Sequence, residues 1–134
     1  MVAISRTMVQ GRHIFSGDSS ATPPYDLDLT ASNGVVQLTT AAATTRLEDP
    51  AGGSFATSQT AAEVFDSPNG SIFDALNSLR TSLLNDDTAG IETAIGKIQT
   101  ASDHLGLSQG FYGNVISRIQ DAIHYGQSYD VQSS

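Results

Sequence analysis

Between positions 91 and 123 large apolar residues recur four and three places apart: Ile91, Ile95, Ile98, Leu105, Tyr112, Ile116, Ile119 and Ile123, with gaps at Ser102 and Gln109. That spacing puts them on one face of a helix. A row of Ala94, Ala101, Val115 and Ala122 widens the face. A heptad sustained this long calls for another helix beside it. No proline follows Pro68, and a helix over 88–128 is about 60 Å long at the usual rise. The rest of the chain offers only short helices, so the stripe reads as one half of an interface.

Gly106, Gly110 and Gly113 interrupt the pattern. Each costs about 1 kcal/mol relative to Ala inside a helix, and together they admit a turn between two shorter helices. The phase of Ile98 and Leu105, however, continues into Tyr112, Ile116 and Ile119. A turn has no reason to keep that phase, so a single helix is expected, bent or loosened near the glycines.

Upstream, Ile72, Leu76, Leu79 and Leu83 repeat four, three, four. They predict an amphipathic helix of about four turns that covers part of the long one. Ser71 with Asp74 is an acidic capping box at its start. Asn85, Asp86, Asp87 and Thr88 form the break, and Asp87 or Thr88 caps the long helix. The region 11–69 is rich in Gly, Ser, Thr, Ala and Pro. Short strands are expected at 13–15, 35–39, 44–47 and 54–57, the last two as a hairpin with a loose loop. Such a small sheet is marginal alone and needs a helix to lean on. Partial disorder over 19–45 is the lesser alternative that the composition admits. Residues 2–9 read as a short helix with Ala3, Ile4 and Met8 on one face, failing by Gly11. The fold class expected is mainly α with a small β region. One domain spans 1–134: helix end at 1–11, β and loop at 12–70, helices at 71–134.

The chain has 134 residues, 39% of them hydrophobic, enough for one modest core. Its net charge is -8, with only 6 Lys and Arg. That excludes a basic nucleic-acid face and disfavours an anionic membrane surface. No apolar run approaches the roughly 20 residues of a bilayer span, and no signal peptide is visible. Cys is absent, so there is no disulfide framework and no thiolate site.

The candidate chemical pairs are thin. Asp103 with His104, and Asp121 three before His124, resemble a base with its orienting carboxylate. Neither has a nucleophile or an oxyanion loop nearby in sequence. His104 and His124 lie about 30 Å apart on one helix, and His13 is remote, so zinc is not expected. Asp26 and Asp28 alternate as calcium ligands do, without a twelve-residue loop or its closing Glu. Asp86 and Asp87 read as caps. Catalytic residues, cofactors and metals are therefore each expected to be none.

Two stretches carry a family resemblance. Gly11-Arg12-His13-Ile14-Phe15-Ser16-Gly17-Asp18, followed by Thr22-Pro23-Pro24-Tyr25, is similar to a "G-x-Y-L-F-[SA]-G" turn and a later "T-x-P-[FY]". Val64-Phe65-Asp66, then Gly70-Ser71-Ile72-Phe73-Asp74-Ala75-Leu76, is similar to an "E-V-F…N-I-F-D-x-L" helix entry. Both patterns, in this order, resemble the hook-associated protein 3 family of bacterial flagella, within the flagellin superfamily. Gly110, Asn114 and Ile116 match a third pattern in that family's long helix, "R-A-x-x-G-A-R-L-N-x-L". The resemblance covers about 2–129 and lacks the family's terminal helices, which implies a fragment whose stripe has lost its partner.

It further implies a structural role at the hook–filament junction, outside the cell, after export by the flagellar type III route. Partners would be other flagellar subunits, namely hook-associated proteins and flagellin, and copies of itself, with no nucleic acid and no membrane. The fragment alone would be monomeric or weakly associating. A rival reading from composition is a secreted adhesin-like module acting through its Ser/Thr-rich β region, with 41–60 open to O-linked glycans.

Overall fold

The computed structural model describes residues 1–41 and 44–133. It is mainly helical, with a long carboxyl-side helix packed on a shorter one and four separate antiparallel hairpins. The helices are α1 (Val2–Ser5), α2 (Ala61–Phe65), α3 (Ile72–Leu84) and α4 (Thr88–Ser133). The strands pair as β1 (Met8–Val9) with β2 (Arg12–His13), and β3 (Tyr25–Leu27) with β4 (Val35–Gln37). Likewise β5 (Arg46–Glu48) pairs with β6 (Ser54–Ala56), and β7 (Asp66–Ser67) with β8 (Gly70–Ser71).

The helix expected over 2–9 stops after one turn. Ser5 Oγ donates to the Val2 carbonyl at 2.7 Å and Thr7 Oγ1 to that of Ile4 at 2.6 Å. Such hydroxyls compete with the helical ladder. Gln10 (φ 51°) and Gly11 (φ 76°) then form a two-residue turn with both φ positive, the geometry that closes a tight hairpin. Ala3, Ile4 and Met8 are all exposed rather than sharing an inward face.

The strands are shorter than expected and shifted by a residue or two. The strand expected at 13–15 is β2, at Arg12–His13, and that at 35–39 ends at Gln37. The hairpin over 44–47 and 54–57 forms as β5–β6, with Leu47 opposite Phe55. Residues 19–41 hold part of a 3₁₀ turn (Gly17–Ser19), β3 and β4. Positions 42–43 of the stretch expected to admit disorder, and Ser134 of the helical region, lie outside the described residues.

Capping explains the helix starts. Thr60 accepts from the Glu63 amide at 3.2 Å while Glu63 accepts from the Thr60 amide at 2.6 Å, a full capping box on α2. Ser71 accepts from the Asp74 amide to open α3. At the other end of α3, Asp86 adopts φ 53° and the Asp87 amide donates back to Ser82, a Schellman-type stop. Asp87 then caps α4 through the Gly90 amide at 3.0 Å. A Cβ at position 90 would strike that carboxylate and the Ser82 hydroxyl, so a larger residue there would displace the capping side chain.

Because one aspartate ends α3 and begins α4, the two helices fold back on each other. Lys97 ties them by reaching Asp74 at 2.9 Å and Ser78 at 3.0 Å. The core gathers at the far end of α3. Phe15, Phe65, Phe73 and Tyr25 stack in sequence with centroid separations of 5.1, 6.2 and 4.9 Å. Val35, Val64, Ile72 and Ala101 close around them. The β7–β8 turn sits directly on α4: a Cβ on Gly70 would lie 3.0 Å from the Thr100 carbonyl.

Tyr25 is 1% exposed, and its hydroxyl donates to Asp66, which also accepts from Ser71. Burial, reinforced by the Asp66 charge, raises the Tyr25 pKa. A phenol that ionises later in the folded state leaves stability intact below the unfolded value of about 10 and erodes it above. Urea midpoints measured from about pH 8 to about pH 11 should therefore fall at the alkaline end, and Tyr25→Phe should flatten that decline.

Candidate assembly interface

The long helix runs unbroken from Thr88 to Ser133, 46 residues, or about 69 Å. The glycines at 106, 110 and 113 do not end it. Its stripe is divided between two environments. Ile91, Ile98, Leu105, Tyr112 and Ile119 are half-buried. The next row inward is Ala94 and Ala101, both 0% exposed, then Ser108 and Val115, both buried, and half-buried Ala122. Ile95, Ile116 and Ile123 face outward, at 55%, 58% and 53% exposure. On α3, Ile72 is buried, Leu79 half-buried, and Leu76 and Leu83 exposed.

The row at the α3–α4 contact is therefore built of small residues. Small side chains such as Ala94 and Ala101 let neighbouring elements approach closely. Ser108 holds the one place in the row that reads as polar. Its signal in the sequence is phase alone, seven residues after Ala101 and seven before Val115.

Further along, the β5–β6 hairpin covers the helix. Phe55 is buried, and the Arg118 guanidinium lies 4.2 Å from its ring centroid. Arg118 also reaches Asp49 in the hairpin loop at 3.4 Å. Nearby the Gln59 amide donates to the Tyr112 hydroxyl at 3.1 Å. These contacts hold the hairpin near positions 112–118 of α4.

The polar candidates separate. His104 donates from Nε2 to the Glu63 carbonyl at 2.6 Å, pinning α2 to α4. Among the described residues no hydrogen bond joins Asp103 to His104 or Asp121 to His124. Asp26 pairs with Arg6 at 3.2 Å. Asp28 accepts from the Thr30 hydroxyl and amide, which hold its carboxyl below the usual range. Asp87 is a cap, and Asp86 makes the left-handed turn before it. Among the described residues no three His, Asp or Glu side chains converge as a metal site would need, and no helix is long and apolar enough to cross a membrane.

Set against family models, curated proteins and solved structures, the chain matches none of them. The geometry of α4 therefore carries the functional reading. It is a rod with one face committed to its own chain and another carrying isoleucines into solvent.

Arg118→Ala removes a cation–π contact worth about 0.5–1 kcal/mol and an exposed ion pair worth less than about 1 kcal/mol. The expected result is faster amide exchange in β5 and β6, with α3 unchanged, and a stability loss of roughly 1 kcal/mol.

Proposed function

We propose that the protein is a structural subunit of the bacterial flagellum, joining hook and filament by helix packing, and that it performs no chemistry. The observation that carries this reading is the row Ile95, Ile116 and Ile123, more than half exposed along the flank of the stripe that packs on the chain's own elements. Burying such a row against a neighbouring helix yields about 25 cal/mol per Å² of apolar area, and the rod's length spreads that adhesion along an assembly axis. In this reading the subunit leaves the cell by the flagellar type III route. Its partners are hook-associated proteins, flagellin and further copies of itself.

The glycines support the same reading. At Gly96, Gly106, Gly110 and Gly113 a Cβ would meet nothing within 4 Å, so nothing in the described fold asks for glycine there. Each still weakens the helix by about 1 kcal/mol. Gly106 and Gly113 stand on the turns between the outward Ile95 and Ile116. A neighbouring backbone packed closely at that level gives their small size a use. The adhesin alternative gains no such support: Phe55 of the β5–β6 hairpin is buried beside Arg118 of α4.

Deleting the gene in its source bacterium should leave hooks without filaments under electron microscopy and abolish swimming. Normal flagella in the deletion strain defeat the proposal. Complementation with Ile116→Glu should fail while the purified variant keeps its helicity. Gly106→Ala with Gly113→Ala should raise the denaturation midpoint of the purified chain, by roughly 1 kcal/mol per site. The same pair should lower filament retention in the complemented strain.

A further inference from the structure

Two apolar surfaces lie far apart among the described residues. One is a groove of about 190 Å³ between α1, the β3–β4 hairpin and α3, walled by Val2, Leu27, Leu29, Phe73 and Leu76, with Arg80 at its edge. Leu27 and Leu29 are more than half exposed there. Arg80 has no acid partner among the described residues. The other surface is the end of α4. The inward row of Ala101, Ser108, Val115 and Ala122 continues, seven residues on, to Tyr129. Tyr129 is more than half exposed, as is Tyr125 one turn before it. The packing line runs past the body that covers it. Asp121 sits one turn before Tyr125 on the same side.

These surfaces do not meet within one chain. Lys97 bonds to Asp74 and Ser78, so the groove's α3 wall lies level with position 97 of α4. Tyr129 is about 48 Å further along the helix. Their charges are opposite in sign: the groove carries Arg80, whereas α4 holds Asp121 and Asp130 and no Lys or Arg after Arg118.

We infer that a second copy of this chain docks the end of its α4 in the groove. Tyr125 and Tyr129 enter between Leu27, Leu29 and Leu76, and Asp121 meets Arg80. This is recognition of a helix by an apolar groove. The two surfaces differ, so the contact is head-to-tail, each copy offering one groove and one helix end. The inference deepens the assembly reading and rests on it, naming the partner and both halves of the joint.

Sedimentation velocity of the full chain across a concentration series tests it. The wild-type sedimentation coefficient should rise with concentration. Leu27→Glu and Tyr129→Glu should each abolish the rise while keeping the wild-type circular dichroism, since both side chains are exposed. An equimolar mixture of the two variants, each with one intact surface, should form pairs and nothing larger. Arg80→Glu should weaken association, and Asp121→Arg added to it should restore it. A wild-type chain that stays single at every concentration overturns the inference. So does association that neither glutamate variant disturbs, or a mixture that stays single. If the chain stays single while the deletion strain still sheds its filaments, only the joint is wrong and the structural role stands.

Discussion

The structure depends on how closely α3 and the small hairpins approach α4, and that approach is licensed by Ala94, Ala101 and Ser108. Replacing any of them by a large residue forces the elements apart, and interiors packed at crystal-like density transmit such strain rather than absorb it. Gly70 works on the same contact from the other side, letting the β7–β8 turn rest on the Thr100 carbonyl. His104 bridges to Glu63 one turn further along. The long helix is thus the floor on which α2, α3 and the β7–β8 turn are laid. Its inner line is small because it carries them.

That arrangement explains why so little sheet suffices. Each hairpin has two strands and is marginal alone. Three of the four gain from a contact at the base: β3 through Tyr25 in the aromatic core, β6 through Phe55 against α4, β7–β8 through Asp66, which accepts from Tyr25 and Ser71. The aromatic members of the two family-like motifs, Phe15, Tyr25, Phe65 and Phe73, are also the residues that stack in the core. The motifs are therefore intelligible as packing requirements, whatever the chain's ancestry.

The long helix is legible in the sequence because one phase runs through it and three glycines cannot break a helix held by its neighbours. The α3–α4 turn is legible because Asp87 has few other uses at such a position. Less visible is the direction in which α4 faces. Isoleucines dominate any hydrophobic pattern, whereas alanine and serine barely register, yet close packing selects the small residues for the inner line. The first helix misleads for a related reason. Met8 and Val9 look like continuing helix, but Thr7 and Ser5 turn their hydroxyls on the backbone and the Gln10–Gly11 turn reverses the chain. The α2 capping box is written plainly in Thr60 and Glu63, but the helix after it is only five residues long.

Ile95, Ile116 and Ile123 flank the stripe that packs on the chain's own elements, and each stays more than half exposed. Surface leucines and isoleucines scattered singly are ordinary. Three of them in heptad phase, at 95, 116 and 123, are not scattered. The positions between them, Ser102 and Gln109, share the same line and are exposed as well. The outward face is thus apolar at its ends and small or polar at its middle. Adhesion along it would be strongest at two separated points, with a permissive stretch between. On the proposed assembly reading, a neighbouring helix would be held at Ile95 and again at Ile116 and Ile123, with Gly106 and Gly113 admitting its close approach between them.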